Sequence, residues 1–236
     1  MITGASRGLG RAVAMRFAKE GARVVICSRH AAEVEAVAQE IRRTGASILA
    51  LKADVSSDRD VDRLVATTLK AFGRIDVLVN NAGMLTPKAP LHQVQVSDWD
   101  RTIAVNLRGP FLCMRAVLPP MLTQRHGSIM TVSSGAGKRE APLWGSYAVS
   151  KCAIEGLTQL AAAEMRTSGV RVNAVNPGGI RTAMRAAAYP EENPLTVPTP
   201  EDVTGVFVYL ASEVSRDVTG QSLDAREWLT AHPEWR

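Results

Sequence analysis

Short apolar runs alternate along this chain with longer amphipathic stretches, and this alternation constrains the fold more than any other feature. The runs are rich in β-branched residues and occupy 23–27, 47–51, 75–79, 128–132 and 170–175. Near-continuous apolar strands separated by helices are typical of a parallel sheet that is covered on both faces. Because no linker, repeat or abrupt change in composition interrupts the 236 residues, the pattern predicts one doubly wound α/β domain over 1–236.

Residues with capping preferences stand at the expected ends of the helices. Gly21 and Gly45 each follow a periodic segment, where a left-handed residue can end a helix. The tetrapeptides 57–60 and 97–100 each begin with Ser and end with Asp, which predicts a helix capped by the serine. The segment 199–202, Thr-Pro-Glu-Asp, repeats this pattern with proline at the first helical position.

Charge and cysteine content exclude several kinds of protein. The 28 Lys and Arg residues outnumber the 23 Asp and Glu residues, but they are scattered and form no stripe of the kind that binds nucleic acid. Cys27, Cys113 and Cys152 are widely spaced, and the four histidines have no ligand spacing, so neither a disulfide framework nor a metal site is expected. No apolar run is long enough for a membrane span or a signal peptide, and we expect a cytoplasmic protein.

A glycine-rich segment, TGASRGLG at 3–10, opens the chain and precedes a predicted helix over 11–20. Glycines tolerate positive φ and close approach of the backbone, so such a loop can place a pyrophosphate on the helix N-terminus, where free N–H groups favour anions. The segment therefore predicts a dinucleotide-binding turn. A structural turn before a surface helix is the alternative.

Tyr147 and Lys151 stand four residues apart near the start of a helix predicted to reach about residue 165, so their side chains share a face. Ser134 precedes Tyr147 by 13 residues. A free tyrosine titrates near pH ~10, and an ammonium about 4–5 Å from the phenol oxygen lowers this pKa towards neutrality. The spacing predicts a tyrosine able to transfer a proton. Alternatively, Tyr147 and Lys151 are exposed on the helix surface and only cover neighbouring side chains.

Seven motifs occur in a fixed order along the chain. They are TGASRGLG, Asp54-Val55, NNAG at 80–83, Asn106 in VNLRG, Ser134, YAVSK at 147–151 and NPGGIRT at 176–182. With these motifs the chain resembles the short-chain dehydrogenase/reductase family, in its shorter-chain branch and near the 3-oxoacyl-carrier-protein reductases. The resemblance implies a Rossmann fold, a nicotinamide cofactor and the interconversion of a carbonyl and an alcohol by hydride transfer.

The resemblance also implies a role for each residue of the catalytic set. Tyr147 is expected to be the general acid/base, Lys151 to lower its pKa and bind the nicotinamide ribose, and Ser134 to hold the substrate oxygen. Asn106 is expected to anchor a chain of waters that returns protons to Lys151. Ser133 is the neighbouring serine, but its spacing to Tyr147 is one residue longer, and Ser134 fits the family pattern.

Ser28 and Arg29 end the second predicted strand, where NAD-selective proteins usually place an acidic residue on the ribose 2′-OH. A carboxylate repels a phosphomonoester, whereas a hydroxyl and a guanidinium bind it. With Arg7 as a second cation, the sequence predicts NADP(H) over NAD(H); a merely solvated Arg29 is the alternative. The expected cofactor contacts, most of them implied by the resemblance, are Gly4, Ser6, Arg7, Gly8, Leu9, Gly10, Ser28, Arg29, Asp54, Val55, Asn80, Ala82, Gly83, Tyr147, Lys151, Pro177, Gly178, Ile180 and Thr182.

Two irregular stretches, 81–96 and 176–198, are too long to be simple turns and are expected to carry the site. Within and near them, the substrate pocket is expected from 84–91, 135–146 and a substrate loop at about 183–198. The apolar members of these segments indicate a moderately apolar small carbonyl compound as substrate. They are Met84, Leu85, Leu143, Trp144, Met184 and Tyr189.

The resemblance also bears on partners. Family members that bind an acyl carrier protein have two basic residues; Arg125 fits one position, but Ser168 stands at the other, which argues against this partner. A homodimer or homotetramer is implied, and neither nucleic acid nor a membrane is expected. The alternative function is a Rossmann scaffold or regulatory protein that binds the cofactor but is catalytically weak.

Both ends of the chain depart from the family pattern. Met1 and Ile2 are nearly all of a first strand that normally needs about five residues. We expect the natural start to lie upstream; a truncated first strand is the alternative. After Asp224, Trp228 and Trp235 are expected to cover either a partner subunit or the protein's own surface.

Overall fold

A computed structural model describes residues 1–139 and 141–235, and its centre is a seven-stranded parallel sheet with the order β3-β2-β1-β4-β5-β6-β7. This arrangement confirms the predicted doubly wound α/β fold. The order reverses direction between β1 and β4, so the connections leaving these two strands run to opposite faces. The strands are β1 (Ile2–Thr3), β2 (Val24–Ser28), β3 (Ile48–Lys52), β4 (Val77–Asn80), β5 (Gly127–Val132), β6 (Val170–Asn176) and β7 (Ser222–Asp224).

Helices connect the strands and cover the sheet. A π-helical turn at Ala104–Arg108 joins α4 to α5, and short 3-10 turns occur in several loops. No helix in the described part of the chain is long and apolar enough to cross a membrane. The helices are α1 (Gly8–Lys19), α2 (Ala31–Arg42), α3 (Asp58–Phe72), α4 (Val96–Ile103), α5 (Gly109–Gln124), α6 (Gly145–Glu164), α7 (Ala183–Ala188), α8 (Gly205–Ala211) and α9 (Ala225–Ala231).

The two faces of the sheet bury separate apolar clusters. Ile2, Ile26 and Val79 point to one face, where α1, α2, α8 and α9 cover them. Val25 and Leu78, their neighbours along the same strands, point to the other face, beneath α3, α5 and α6. Because burial of one such aliphatic side chain stabilises the fold by about 1.5–3 kcal/mol, alternate strand residues hold both helix layers in place.

The first strand is short but sits in the middle of the sheet. Ile2 pairs with Ile26 on one side and with Val79 on the other, and its side chain is fully buried. The amino group of Met1 continues the pairing by donating to the carbonyl of Val77 at 2.8 Å. Two strand residues therefore connect the two halves of the sheet.

Several predicted helix ends are present. Gly21 and Gly45 have φ values of +83° and +84°, two residues after the end of α1 and three after the end of α2. The hydroxyl of Ser57 accepts a hydrogen bond from the Asp60 N–H and caps α3. Thr199 and Asp202 bond reciprocally, although this capping box begins a 3-10 turn that leads into α8 rather than the helix itself.

Two predicted helix starts are wrong. The backbone of Gln95 is extended and α4 already begins at Val96, so Ser97 lies inside the first turn and makes no cap. The first helix begins at Gly8 rather than at residue 11, because the glycine-rich segment itself forms the first turn of α1. The predictions failed because the first helical residue depends on the backbone angles of the preceding loop.

The last segment folds back on its own chain. Trp228 and Trp235 pack on Tyr209 of α8, with ring centroids 4.5 and 5.3 Å from that of the tyrosine. Gly205, at the start of α8, makes room for this packing, since a Cβ atom there would overlap the Trp235 carbonyl and lie 3.0 Å from a methyl group of Leu229. Of the two coverings expected for these tryptophans, the structure has the intramolecular one.

We expect Gly205→Ala to destabilise the protein by about 1–3 kcal/mol, because the added methyl group forces the last residues away from α8. Denaturant unfolding followed by tryptophan fluorescence measures the change. Gly156→Ala in α6 is the matched control: nothing lies within 4 Å of its Cβ position, so this variant should gain about 0.5–1 kcal/mol from helix propensity. Equal stability of the two variants would contradict the packing assigned to Gly205.

Candidate functional site

A cleft of about 1020 Å³ runs along the carboxyl ends of the strands, where the strand order reverses between β1 and β4. Most of the predicted catalytic and cofactor-binding residues line it, and the members of that set that do not are Gly10, Asn80 and Asn106. The predicted residues that do line it are Gly4, Ser6, Arg7, Gly8, Leu9, Ser28, Arg29, Asp54, Val55, Ala82, Gly83, Ser134, Tyr147, Lys151, Pro177, Gly178, Ile180 and Thr182.

The glycine-rich segment brings the start of α1 to the cleft. Gly4 has a φ of +64°, which turns the chain directly after β1. The residue before α1, Arg7, provides no side-chain cap, and the first turn has no acidic residue. The N–H groups at this helix start therefore remain available for an anion in the cleft, whereas the start of α3 is capped by its own Ser57.

Gly10 is needed for packing, not for contact with a ligand. A Cβ atom there would lie 2.6 Å from the Gly4 carbonyl oxygen and would overlap the side-chain amide of Asn81. That amide donates to the carbonyls of Thr3 and Gly4 at 2.9 and 3.0 Å, and it locks the glycine turn to the loop after β4. Sequence reasoning placed Asn81 in a motif but missed this role, which no spacing rule indicates.

Ser134, Tyr147 and Lys151 come together on the same wall of the cleft. Lys151 is one turn beyond Tyr147 on α6; its ammonium lies 5.6 Å from the centre of the phenol ring and donates to the Val132 carbonyl at 2.7 Å. Ser134 follows β5 and interacts with the Tyr147 side chain. The adjacent Ser133 instead donates to the carboxylate of Glu155, which agrees with the choice of Ser134.

The protonation states of this set differ in one respect from the expectation. Burial raises the pKa of Tyr147, and the nearby Ser134 side chain only partly offsets this. The Lys151 ammonium faces the ring and the Val132 carbonyl and does not contribute to this shift, so the lowering expected from Lys151 stays a prediction. Burial also lowers the pKa of Lys151 to about 8, against the charge of Glu155, which raises it. Sequence reasoning missed Glu155, although its place four residues after Lys151 is a usable signal.

Asn106 lies behind the cleft wall. Its amide oxygen accepts from the Met84 N–H at 2.8 Å, and its amide nitrogen donates to the Met84 carbonyl and to the Ser150 hydroxyl. The π-helical turn places it there, an irregularity that often marks functional sites. Asn80 is buried as well, and its side-chain amide has no partner among the described residues. Direct ligand contact by these two side chains is therefore not part of this geometry.

One end of the cleft is lined with cations. The guanidinium groups of Arg7 and Arg29 make no ion pair within residues 1–139 and 141–235. The Ser28 hydroxyl donates to the His30 carbonyl and accepts from the His30 N–H, which fixes the end of β2. Glu33 also lines this end.

The other end is formed by 84–88, Trp144 and residues of α7 with Tyr189. Of the apolar residues predicted for the pocket, Leu143 does not line the cleft and is half exposed. The segment 190–198 lies outside this cleft, where the Arg181 side chain donates to the Pro194 and Val197 carbonyls. The helix α7 was not predicted, since 176–198 looked irregular.

Charged residues of this second end were also missed. Lys88 lies 4.0 Å from the ring centre of Tyr189 and 4.9 Å from that of Trp144. Arg185 forms two hydrogen bonds with the carboxylate of Glu192, at 2.7 and 2.6 Å. Their sequence separations follow no motif, so only the folded chain reveals them.

Comparison with known proteins agrees with this geometry. The sequence model of the short chain dehydrogenase family matches residues 1–193. A 3-oxoacyl-[acyl-carrier-protein] reductase of Synechocystis is 38% identical over 231 residues, which cover 95% of this chain and 93% of the relative.

Solved structures match over almost the whole length. A short chain dehydrogenase from Shigella flexneri complexed with NADP has a TM-score of 0.89 and 35% identity, with 95% of each chain covered. A 3-ketoacyl-(acyl-carrier-protein) reductase from Brucella melitensis complexed with NADH has a TM-score of 0.88 and 34% identity, with 94% of each chain covered. The chain therefore belongs to the short-chain dehydrogenase/reductase family, and it is an oxidoreductase of the class that acts on CH–OH and carbonyl groups.

Proposed function

We propose that this protein is an NADP(H)-dependent oxidoreductase that interconverts a small carbonyl compound and its alcohol, with Tyr147 as the general acid/base. The observation that carries the proposal is the meeting of Ser134, Tyr147 and Lys151 in one cleft with the uncapped start of α1. A diphosphate suits the helix start, and a carbonyl group suits the three side chains.

The donor groups of the cleft fit a nicotinamide dinucleotide. The free N–H groups at Gly8 and Leu9 suit its diphosphate, Asp54 and Val55 border the position proposed for its adenine, and 177–182 flanks the nicotinamide end. Such a cofactor supplies a hydride to a carbonyl carbon when reduced and accepts one from an alcohol when oxidised. Nicotinamide-bound relatives support the assignment.

The raised pKa of Tyr147 gives its phenol a definite role. At neutral pH the phenol keeps its proton and can donate it to the oxygen of a carbonyl that the Ser134 hydroxyl holds. The resulting phenolate lies beside the buried ammonium of Lys151, whose charge stabilises it. In the reverse direction the phenolate takes the proton from the alcohol.

The cations at the adenosine end favour a phosphorylated ribose. The guanidinium groups of Arg7 and Arg29, which make no ion pair among the described residues, line this end together with the carboxylates of Glu33 and Asp54. Charge-assisted bonds to a phosphomonoester are roughly twice as strong as neutral ones. We infer that the 2′-phosphate of NADP(H) is the preferred group here.

Assembly and alternatives follow from the same proposal. We propose a homodimer or homotetramer, as the family resemblance implies, and a single folded unit. The substrate loop expected at 183–198 meets the cleft through 183–189 only. A cofactor-binding protein without turnover is the alternative function, and NADPH consumption over a panel of ketones and aldehydes separates the two.

Tyr147→Phe should lower kcat by at least ~10²-fold, because it removes the proton donor but keeps the ring. Binding of NADPH, measured by fluorescence titration, should not change. Tyr209→Phe is the matched control, since Tyr209 packs on Trp228 away from the cleft and should retain wild-type turnover. Full activity of the Tyr147 variant would refute the assigned role.

NADPH should bind at least ~10-fold more tightly than NADH, a difference of about 1.4 kcal/mol. Replacing Arg29 by Gln should remove most of this preference while leaving the affinity for NADH nearly unchanged. Arg43→Gln, beyond the end of α2 and outside the cleft, is the control and should keep the preference. Equal affinities of the wild-type protein for the two cofactors, by calorimetry, would show that the guanidinium groups do not select a phosphate.

The activity in the reducing direction should fall as the pH rises through about 8, where Lys151 loses its proton. The charge of Glu155 raises the pKa of Lys151, so Glu155→Gln should move this alkaline limb to lower pH. Profiles of kcat/KM against pH measure the shift. Glu164→Gln, exposed at the end of the same helix, should leave the profile in place, and an unmoved limb in the Glu155 variant would contradict the coupling.

A further inference from the structure

We propose that Lys88 is the anion-binding residue of the substrate end of the cleft, and that the substrate is an oxo acid whose carboxylate binds its ammonium. This inference rests on the proposed carbonyl reduction and specifies the substrate class. The carbonyl group would face Tyr147 and Ser134, and the carboxylate would lie at the mouth beside Trp144 and Tyr189.

Lys88 is held over two aromatic rings. Its ammonium lies 4.0 Å from the ring centre of Tyr189 and 4.9 Å from that of Trp144, whose own centres are 5.9 Å apart. Aromatic faces attract a cation without neutralising it. They also provide an apolar wall next to the charge, where an ion pair is less screened than on an open surface.

Among the described residues, the charge of Lys88 has no acidic partner. No carboxylate of the described residues lies within 4.0 Å of its ammonium. The only other cation of the cleft wall formed by 84–88, Trp144 and 183–189 is Arg185, and Glu192 pairs with it. In this part of the described chain one uncompensated positive charge therefore remains, and no acidic residue lines the wall to repel an anion.

The ammonium also has free bonding capacity. It donates to the Ala188 carbonyl at 2.7 Å, which uses one of its three N–H groups. This bond joins the loop after β4 to the end of α7 and fixes the position of the charge. A carboxylate can accept from the remaining N–H groups without breaking this bond.

Distances limit the size of the substrate. The ring centre of Trp144 lies 5.5 Å from that of Tyr147 and 4.9 Å from the Lys88 ammonium, so the ammonium is at most about 10 Å from the phenol ring. A substrate whose carboxylate lies a few bonds from the reacting carbonyl fits within this limit. Met84, Leu85 and Met184 supply apolar contacts for the body between the two groups.

Matched acids and esters test the inference. The probes are 3-benzoylpropionate and its homologue one methylene longer, each compared with its methyl ester, with NADPH as reductant. For the better of the two acids, kcat/KM should exceed that of its ester by at least ~10-fold, since a charge-assisted bond contributes more than 1.4 kcal/mol. Lys88→Met should remove this preference, so that kcat/KM falls at least ~10-fold more for the acid than for the ester, whereas Lys88→Arg should retain the preference.

A control variant distinguishes loss of the charge at the cleft from loss of any exposed lysine. Lys138→Met is the control, because Lys138 is also exposed and donates to a backbone carbonyl, that of Ser222, but does not line the cleft. This variant should retain the preference for the acid. Equal losses on acid and ester in Lys88→Met would mean that the lysine only fastens the loop, and would overturn the inference. Equal kcat/KM of the wild-type protein for the acid and its ester would also overturn the inference.

If neither probe is reduced, binding decides. Calorimetry of the NADP⁺-loaded protein should then show the acid binding at least ~10-fold more tightly than the ester, and Lys88→Met should abolish the difference. Failure of turnover with retained acid binding would count against the proposed reaction alone. Equal binding of acid and ester would overturn the assignment of Lys88.

Discussion

The hydrogen bonds that join the ends of β1 and β4 are the constraint on which the rest of the site depends. Asn81 donates from its side chain to the carbonyls of Thr3 and Gly4, while the Thr3 hydroxyl accepts from the N–H groups of Asn81 and Ala82. These bonds hold together two strand ends whose connections leave towards opposite faces of the sheet. Because β1 contributes only two strand residues, side-chain bonds carry much of the connection at the floor of the cleft.

The cleft wall that carries Ser134, Tyr147 and Lys151 is held together by contacts between the end of β5 and successive turns of α6. Val132 receives the ammonium of Lys151, Ser133 bonds to Glu155, and Ser134 meets Tyr147. Three consecutive residues, the last of β5 and the two that follow it, thus engage residues on three turns of α6. Since α6 is 20 residues long and buried along this face, its rigidity fixes the spacing of the proton-transferring groups.

Periodicity and local motifs predicted the features that depend on neighbouring residues in the chain. Five strands, the covered sheet, the glycine turn and the shared face of Tyr147 and Lys151 all follow from such short-range patterns. The features that were missed or wrongly predicted depend on tertiary context: Ser97 is not a cap because of the backbone at Gln95, and the pKa of Tyr147 rises because its phenol is buried. The packing role of Gly10 and the cationic mouth likewise require segments far apart in sequence to meet.

In the folded chain, part of the excess positive charge lies along the cleft. Along the sequence the basic residues looked scattered, and a net charge of +5 said little about partners. In the structure, basic residues outnumber acidic ones along the cleft, with Arg7 and Arg29 at one end and Lys88 at the other. A cleft with this surplus attracts anions along its whole length, because charge lining a concave, low-dielectric surface is screened less than charge spread over the exterior. Both proposals rest on this surplus: a phosphorylated dinucleotide is proposed where Arg7 and Arg29 lie, and an acidic substrate where Lys88 lies.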